Sequence, residues 1–202
     1  MVYVDGKELE VVDAYPVDDL DSSAADHILY TLRHKKALLM VYMELTGKIP
    51  TYISRLWYHD VDKLFMYYTL GTIDKISKLH RAYAIHHYGK WQSLEDRKEA
   101  ILDYESGRFT KADKPMNAYE TVQNYIKDVY PELKGILSDW GIDSADRKVY
   151  EFDLYNANID YIEHNLYIKT CACLHDMFKR AETEDVESIV KDFYAKLSKI
   201  SM

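Results

Sequence analysis

Metal-competent side chains follow one another in a fixed order between residues 34 and 103, and a fold must bring four separate segments together to use them. Six of the eight histidines lie between residues 27 and 87. Imidazole and carboxylate groups are the usual protein ligands of divalent transition metals. Histidines scattered by chance over a protein surface would rarely be so concentrated in one part of the sequence. The order therefore predicts a metal-dependent hydrolase site carried on helices. The candidate ligands are His34, His59, Asp60, His80, His86, His87 and Asp103.

The composition fits one globular domain with a helical extension, because 202 residues include 48% hydrophobic and 30% charged side chains. The net charge of -8 makes nucleic-acid binding an unlikely main function. Small anionic substrates stay possible, since a metal ion and local lysines override the global sign. With no long apolar run and no basic-then-apolar start, we expect a cytoplasmic protein without a membrane partner. Cys171 and Cys173 are expected to be reduced packing residues.

The chain pattern predicts an all-α fold with a small N-terminal β-hairpin. Asp5-Gly6 between two β-prone runs is a strong hairpin signal. Ser93 and Asp96 resemble a capping box, and Gly107 to Pro115 resembles a polar loop. The predicted domain ranges are a hairpin arm at 1–20, a metal-binding helical core at 21–130 and a C-terminal helical extension packed on the core at 131–202. The predicted helices cover 22–45, 51–70, 72–87, 93–106, 117–130, a short segment from 131, 143–181 and 184–200.

His59 and Asp60 are adjacent and, on a helix, are separated by about 100°. Lys63 follows one turn later and projects from the same face, where it could hold a phosphate oxygen. The alternative for Lys63 is an ordinary surface pair with Asp60. His34 and the earlier His27 compete for one role, and a histidine on an apolar stripe is often only a satisfied core residue. Asp103 lies beside buried positions and needs a partner, which a metal or a histidine would supply.

His80 and His87 are two helical turns apart and share a face. His86 is rotated away from them in an unbroken helix. All three rings could converge only if the helix ends or distorts near Ile85, and Gly89 favours such an end. The alternative is a pair of surface histidines at a helix end.

These residues together resemble the HD-domain superfamily of metal-dependent phosphohydrolases, in an HD-like helical bundle. The likeness is greatest to a small HD-like family found in bacteria and phages, over about residues 22–125. It departs from that family in having Tyr88-Gly89 after the histidine doublet, where Pro-Glu is frequent, and Tyr104 where Trp is commoner. The matching segments are Thr31-Leu-Arg-His34, His59-Asp-Val-Asp-Lys63, His80 followed by His86-His87, and Leu102-Asp103-Tyr104.

The resemblance implies a division of the ligands between two ions. One ion would be held by His34, His59, Asp60 and Asp103, and a second by His80, His86 and His87 with Asp60 bridging. Histidine-rich sites suit manganese, iron, cobalt, nickel or zinc. Asp60 and Lys63 would act in catalysis, in which a metal-activated hydroxide cleaves a phosphate ester or anhydride, for example of a nucleotide. The expected substrate-binding residues are Lys63, Arg108, Lys111 and Lys114.

Other interpretations remain open at this point. An HD-fold di-iron oxygenase would use a similar ligand set, and a nucleotide-binding sequestering or counter-defence protein would use the fold without turnover. A structural helical bundle with incidental histidines is the simplest alternative. A homodimer is possible. His164 and His175-Asp176 share a face of one predicted helix but lack a later acid, so we interpret them as structural.

Overall fold

The computed structural model describes residues 2–4, 7–9, 24–111 and 115–202. Within these ranges the chain is mainly helical, which confirms the all-α class. None of the described helices is both long and apolar enough to pass through a bilayer. The helices are α1 (Ala24–Thr46), α2 (Val61–Thr69), α3 (Ile73–Tyr83), α4 (Leu94–Thr110), α5 (Ala118–Tyr125), α6 (Tyr130–Asp139), α7 (Asp153–Ala157), α8 (Ile159–Arg180) and α9 (Val186–Leu197), with 3₁₀ turns at Arg55–Tyr58 and Lys127–Val129.

Two short strands, β1 (Val2–Val4) and β2 (Lys7–Leu9), pair antiparallel with Val2 opposite Leu9. The backbone of β1 lies beside α4. The Asp5-Gly6 turn of the predicted hairpin, and the rest of the arm from residue 10 onwards, lie outside the described residues.

Helix α1 is the centre of the fold, and its most extensive contacts are with α4. Residues 37 to 43 of α1 are all buried, so this part of the helix is covered on every side. Leu38, Val41 and Met43 belong to the same apolar cluster as Trp57 and Leu102. Full burial of each such side chain contributes about 1.5–3 kcal/mol to the free energy of unfolding. The packing of α1 on α4 therefore fixes the framework from which the candidate ligands project.

Two predicted helices are interrupted in the structure. The predicted helix 51–70 is a 3₁₀ turn followed by α2, and His59 and Asp60 lie in the break between them. The predicted helix 143–181 begins only at Asp153, because the chain from residue 141 to 152 is not helical, and it is divided at Asn158 into α7 and α8. Periodicity alone does not reveal such breaks, because the apolar positions on either side keep a helical spacing.

Helix α4 begins as predicted but ends later. Ser93 accepts a hydrogen bond from the Asp96 N–H, and the Asp96 carboxylate accepts one from the Ser93 N–H, so the capping box is confirmed. The helix then continues to Thr110, which corrects the predicted loop from Gly107. Burial of Phe109 and Arg108 against Tyr150 and Phe152 outweighs the low helix propensity of Gly107.

The helices after residue 131 pack on the earlier ones. Helix α8 lies against α2 and the first 3₁₀ turn, and α9 lies against α3 and α2. A shared apolar cluster joins Phe65 and Ile76 to Met177, Ile189 and Tyr194. The C-terminal helices are therefore continuous with the packing that surrounds the candidate ligands.

Candidate metal centre

All seven candidate ligands come from four parts of the fold and lie close together. They project from α1, from the break before α2, from the end of α3 with the turn after it, and from α4. Each belongs to at least one group whose ligand atoms lie within 4.8 Å of one another. These groups are His34–His59–Asp103, His59–Asp60–His86, His80–His86–His87, and a fourth in which Asp62 joins Asp60 and His80.

The break that carries His59 and Asp60 has a specific backbone cause. Asp60 has φ 56°, in the left-handed region that residues with a Cβ adopt only at a cost. The buried Lys35 ammonium donates hydrogen bonds to the carbonyl oxygens of Trp57 at 2.9 Å and His59 at 2.6 Å. These bonds take up carbonyls that a continuous helix would use. The doublet is therefore displayed by a sharp turn and not, as the sequence suggested, by a helix.

The turn after α3 places the other histidine doublet. Helix α3 ends at Tyr83, which meets the condition that the sequence set for convergence of the three rings. The Trp91 indole N–H donates to the carbonyl oxygen of His86 at 2.8 Å and so holds this turn from outside. The His80 and His87 rings lie 4.8 Å apart, centre to centre, as do the His86 and His87 rings.

One oxygen of Asp60 occupies the centre of the cluster. Asp60 Oδ1 lies 3.7 Å from His59 Nε2, 3.4 Å from His80 Nε2 and 3.6 Å from His86 Nε2. The second oxygen, Oδ2, accepts a bond from the Lys63 ammonium at 2.7 Å. Two ligands bonded to one ion at about 2.0–2.1 Å lie roughly 3–3.5 Å apart. The spacing around Oδ1 is close to what an ion requires.

Several of these inward-facing atoms have no hydrogen-bond partner in the described structure. They are buried atoms of Asp60 (Oδ1), His59 (Nε2), His80 (Nε2) and His87 (Nε2). A buried polar atom left unpaired costs about 1–3 kcal/mol, so a cluster of them calls for an explanation. One or two bound cations would supply the missing partners. The donor set therefore fits a metal ion.

Asp103 brings α4 to the same centre. Its Oδ1 lies 2.8 Å from His34 Nε2 and 3.8 Å from His59 Nε2. The rival His27 instead stacks on Tyr67, with ring centres 5.6 Å apart, and belongs to none of the ligand groups found among the described residues. The structure thus places His34, and not His27, beside the other candidate ligands.

Glu99 supports the site from behind, and the sequence prediction missed it. Its Oε1 lies 2.9 Å from His59 Nδ1, and its Oε2 accepts a bond from Arg55 Nε at 2.7 Å. Arg55 also donates to Asp96 Oδ1 at 2.8 Å, and all three charged groups are buried. A carboxylate on the far nitrogen of a ligating imidazole fixes the ring and its tautomer. The available signal was the i, i+4 spacing of Glu99 and Asp103 on α4.

Asp62 plays the same part for His80. Its Oδ2 lies 2.7 Å from His80 Nδ1, and its Oδ1 accepts a bond from the Tyr194 hydroxyl at 2.6 Å. With both oxygens engaged, Asp62 orients His80 rather than offering a free ligand atom. Its position two residues after Asp60 was visible in the sequence, but its orientation and Tyr194 were not.

Burial and charge prepare these groups for different tasks. Burial lowers the pKa of His86 well below its ordinary value and that of His87 to about 4, which leaves both rings neutral. Burial also disfavours charge on His59, but Asp60 and the other carboxylates outweigh it and raise the pKa of His59 to about 10. For Asp60, burial is outweighed by Lys63 and His59, which hold its pKa well below the usual range. The apo cluster therefore holds protons that a metal would displace.

The predicted substrate-binding residues are placed differently from one another. Lys63 is half-buried beside Asp60. Arg108 was expected in an exposed loop, but it is buried on α4, where it donates to Glu105 Oε1 at 2.8 Å. This corrects its predicted position, because a guanidinium held in this ion pair does not face solvent. Lys111 is exposed at the end of α4, and Lys114 lies outside the described residues.

The second His-Asp pair of the sequence stays apart from the centre. His164, His175 and Asp176 are all exposed on α8, and none belongs to a ligand group among the described residues. Cys171 and Cys173 are free thiols, with Cys171 exposed and Cys173 half-buried. Only Cys173 therefore fits the expected packing role.

Comparison of the chain with protein-family models, curated proteins and solved structures found no match. The case for the site therefore rests on its own geometry. A helical architecture that gathers buried histidine and aspartate groups able to hold a metal ion is compatible with an HD-like fold.

Proposed function

We propose that this protein is an HD-type metal-dependent phosphohydrolase that cleaves a phosphate ester or anhydride of a nucleotide or nucleotide-like small molecule. The observation that carries the proposal is the convergence of buried, unpartnered ligand atoms on Asp60 Oδ1. The order of the ligands along the chain supports the same class.

The ligands would divide between two ions around Asp60. His34, His59 and Asp103 would hold one ion, in keeping with their grouping. The three-histidine group would hold the second, with Asp60 shared between the ions. Nitrogen-rich donors suit manganese, iron, cobalt, nickel or zinc better than magnesium. The second group is His80, His86 and His87.

The side chains around the ions would position the substrate and balance its charge. A bound metal ion supplies Lewis acidity and lowers the pKa of water toward neutrality. Lys63 is the cation that pairs with Asp60, and its side chain keeps 27% exposure in that pair. Once Asp60 shares its charge with an ion, Lys63 is able to turn its ammonium toward a phosphate oxygen. Lys111 and Lys114 remain candidates for further phosphate contacts.

The test is elemental analysis and a phosphoesterase screen on the wild type, Asp60→Gly and Asp176→Ala. Glycine removes the carboxylate yet accepts the left-handed backbone at residue 60, whereas alanine there would add strain. Asp176→Ala removes an exposed acid of the second His-Asp pair and serves as the matched control. We expect one or two transition-metal ions per chain in the wild type and the control, with metal and hydrolysis both reduced in Asp60→Gly.

Other outcomes would point to the rival functions. Bound iron with oxygen consumption and no phosphoesterase activity would favour a di-iron oxygenase. Nucleotide binding that survives Asp60→Gly, without turnover, would favour a sequestering protein. A wild type that holds no metal after reconstitution with each candidate ion would contradict the proposal and leave a binding or structural helical protein.

A further inference from the structure

Helix α9 reaches the metal centre through one buried hydroxyl. The Tyr194 side chain is 2% exposed and donates to Asp62 Oδ1 at 2.6 Å. Asp62 Oδ2 lies 2.7 Å from His80 Nδ1, and His80 Nε2 lies 3.4 Å from Asp60 Oδ1. A continuous chain of contacts thus joins α9 to the carboxylate at the centre of the cluster.

The chemistry of this chain is directional. A carboxylate only accepts, so Asp62 favours the tautomer of His80 that carries its proton on Nδ1. That tautomer leaves the lone pair of Nε2 facing Asp60, and Nε2 has no other partner in the described structure. Tyr194 occupies the remaining oxygen of Asp62 and prevents the carboxylate from rotating away from the ring. Its hydroxyl also lies 3.3 Å from His80 Nδ1, so Tyr194 and Asp62 contact the same nitrogen.

We propose that Tyr194 is a positioning residue of the metal centre, which acts through Asp62 to hold His80 in the geometry and tautomer that bind an ion. The inference rests on the proposed function in that it assumes an ion beside His80, His86 and His87. It assigns to the C-terminal helical extension a direct part in metal affinity, beyond packing on the core.

The structure supplies a close control for Tyr194. Tyr150 is 1% exposed, and its hydroxyl donates to the buried carboxylate of Glu105 at 2.9 Å. That pair lies outside the ligand groups found in the described part of the chain. Tyr150→Phe and Tyr194→Phe therefore remove the same kind of hydrogen bond, and a comparison of the two separates loss of stability from loss of positioning.

The first experiment measures zinc affinity by competition with a chromophoric chelator in the wild type, Tyr194→Phe, Tyr150→Phe, His80→Ala and the Tyr194→Phe/His80→Ala double variant. Outer-shell partners of metal ligands contribute about 10–100-fold in affinity, and we expect about tenfold weaker binding in Tyr194→Phe. Tyr150→Phe should bind zinc as the wild type does. In the His80→Ala background Tyr194→Phe should have no further effect, because its path to the ion is already cut. Equal affinities in Tyr194→Phe and the wild type, or additive losses in the double variant, would overturn the proposal.

The second experiment needs no metal, so it separates failure of this inference from failure of the proposed function. Long-range ¹H–¹⁵N correlation spectra of the metal-free protein at alkaline pH report which nitrogen of His80 carries the proton. We expect the Nδ1–H form in the wild type and Tyr150→Phe, and a mixture of tautomers in Asp62→Asn and Tyr194→Phe. An unchanged tautomer in Tyr194→Phe would overturn the positioning role even if zinc binds. A tautomer that is fixed in a wild type without bound metal, and becomes mixed in Tyr194→Phe, would instead contradict the proposed function while leaving the hold of Tyr194 on His80 intact.

Discussion

Replacing Glu99 by glutamine should weaken metal binding, although Glu99 is not itself a candidate ligand. Glu99 is fully buried and bonds to both His59 and Arg55. Glutamine keeps one acceptor oxygen for one of these two donors, but it turns its own NH₂ group, which is also a donor, toward the other. Because Asp96 still neutralises Arg55, the loss should resemble that of one charge-assisted hydrogen bond, about 1.5–3 kcal/mol of unfolding free energy. Metal affinity should fall by about 10–100-fold, since His59 loses its orienting carboxylate.

Glu105→Gln is the matched control for this change. Glu105 lies on the same helix, is fully buried, and accepts bonds from Arg108 at 2.8 Å and Tyr150 at 2.9 Å. It should lose at least as much stability, because Glu105 is the carboxylate that pairs with the buried Arg108, but none of the metal affinity. Urea unfolding in the presence of a chelator gives the metal-free stability, and chelator competition gives the affinity. Equal weakening of metal binding in the two variants, or normal binding by a folded Glu99→Gln, would refute the orienting role.

Three further predictions concern the break before α2. In metal-free protein Asp60→Ala should be about 1–2 kcal/mol less stable than Asp60→Gly in urea melts, since only glycine adopts φ 56° freely; equal stabilities would contradict the left-handed conformation. Because the pKa of His59 is raised to about 10 from about 6.5 when unfolded, its contribution to apo stability is full at low pH and is lost as pH rises toward 10. As the pH rises over this range zinc binding should become tighter, because binding releases a proton from His59. Calorimetry would show this release as a heat that depends on the buffer, and an affinity that does not change with pH would refute it. Lys35→Met should lower the free energy of unfolding by about 2 kcal/mol, because the buried carbonyls of Trp57 and His59 lose their donor. The change also removes a buried ammonium, whose pKa burial lowers to about 8. Unchanged stability would show that the turn does not need Lys35.

The candidate ligands could be selected from sequence because residue type and order along the chain are visible without a structure. Each of His34, His59-Asp60, His80 and Asp103 is a weak signal alone, and it is their combined order that selects them. The helical class could be predicted because apolar periodicity and capping residues such as Ser93 act over a few positions.

The supporting residues could not be predicted because their roles depend on distant partners. Nothing near Tyr194 indicates that its hydroxyl meets Asp62. The left-handed turn at Asp60 was also invisible, since it depends on Lys35, which reaches the turn from α1. Arg108 was placed in a loop because the glycine before it is a poor helix former, whereas in the fold Arg108 is buried beside the distant Tyr150 and the helix continues.

The link between Tyr194 and Asp62 bears on when a metal ion would bind. The two residues are 132 positions apart, and closing so long a loop costs chain entropy that only extensive packing repays. During synthesis every candidate ligand leaves the ribosome well before α9, so a nascent chain displays its ligands before His80 is held. In zinc fingers the metal drives folding. Here we expect the reverse order, in which the chain folds first and binds the ion last. A bound ion would then indicate that α9 is already packed on the rest of the fold.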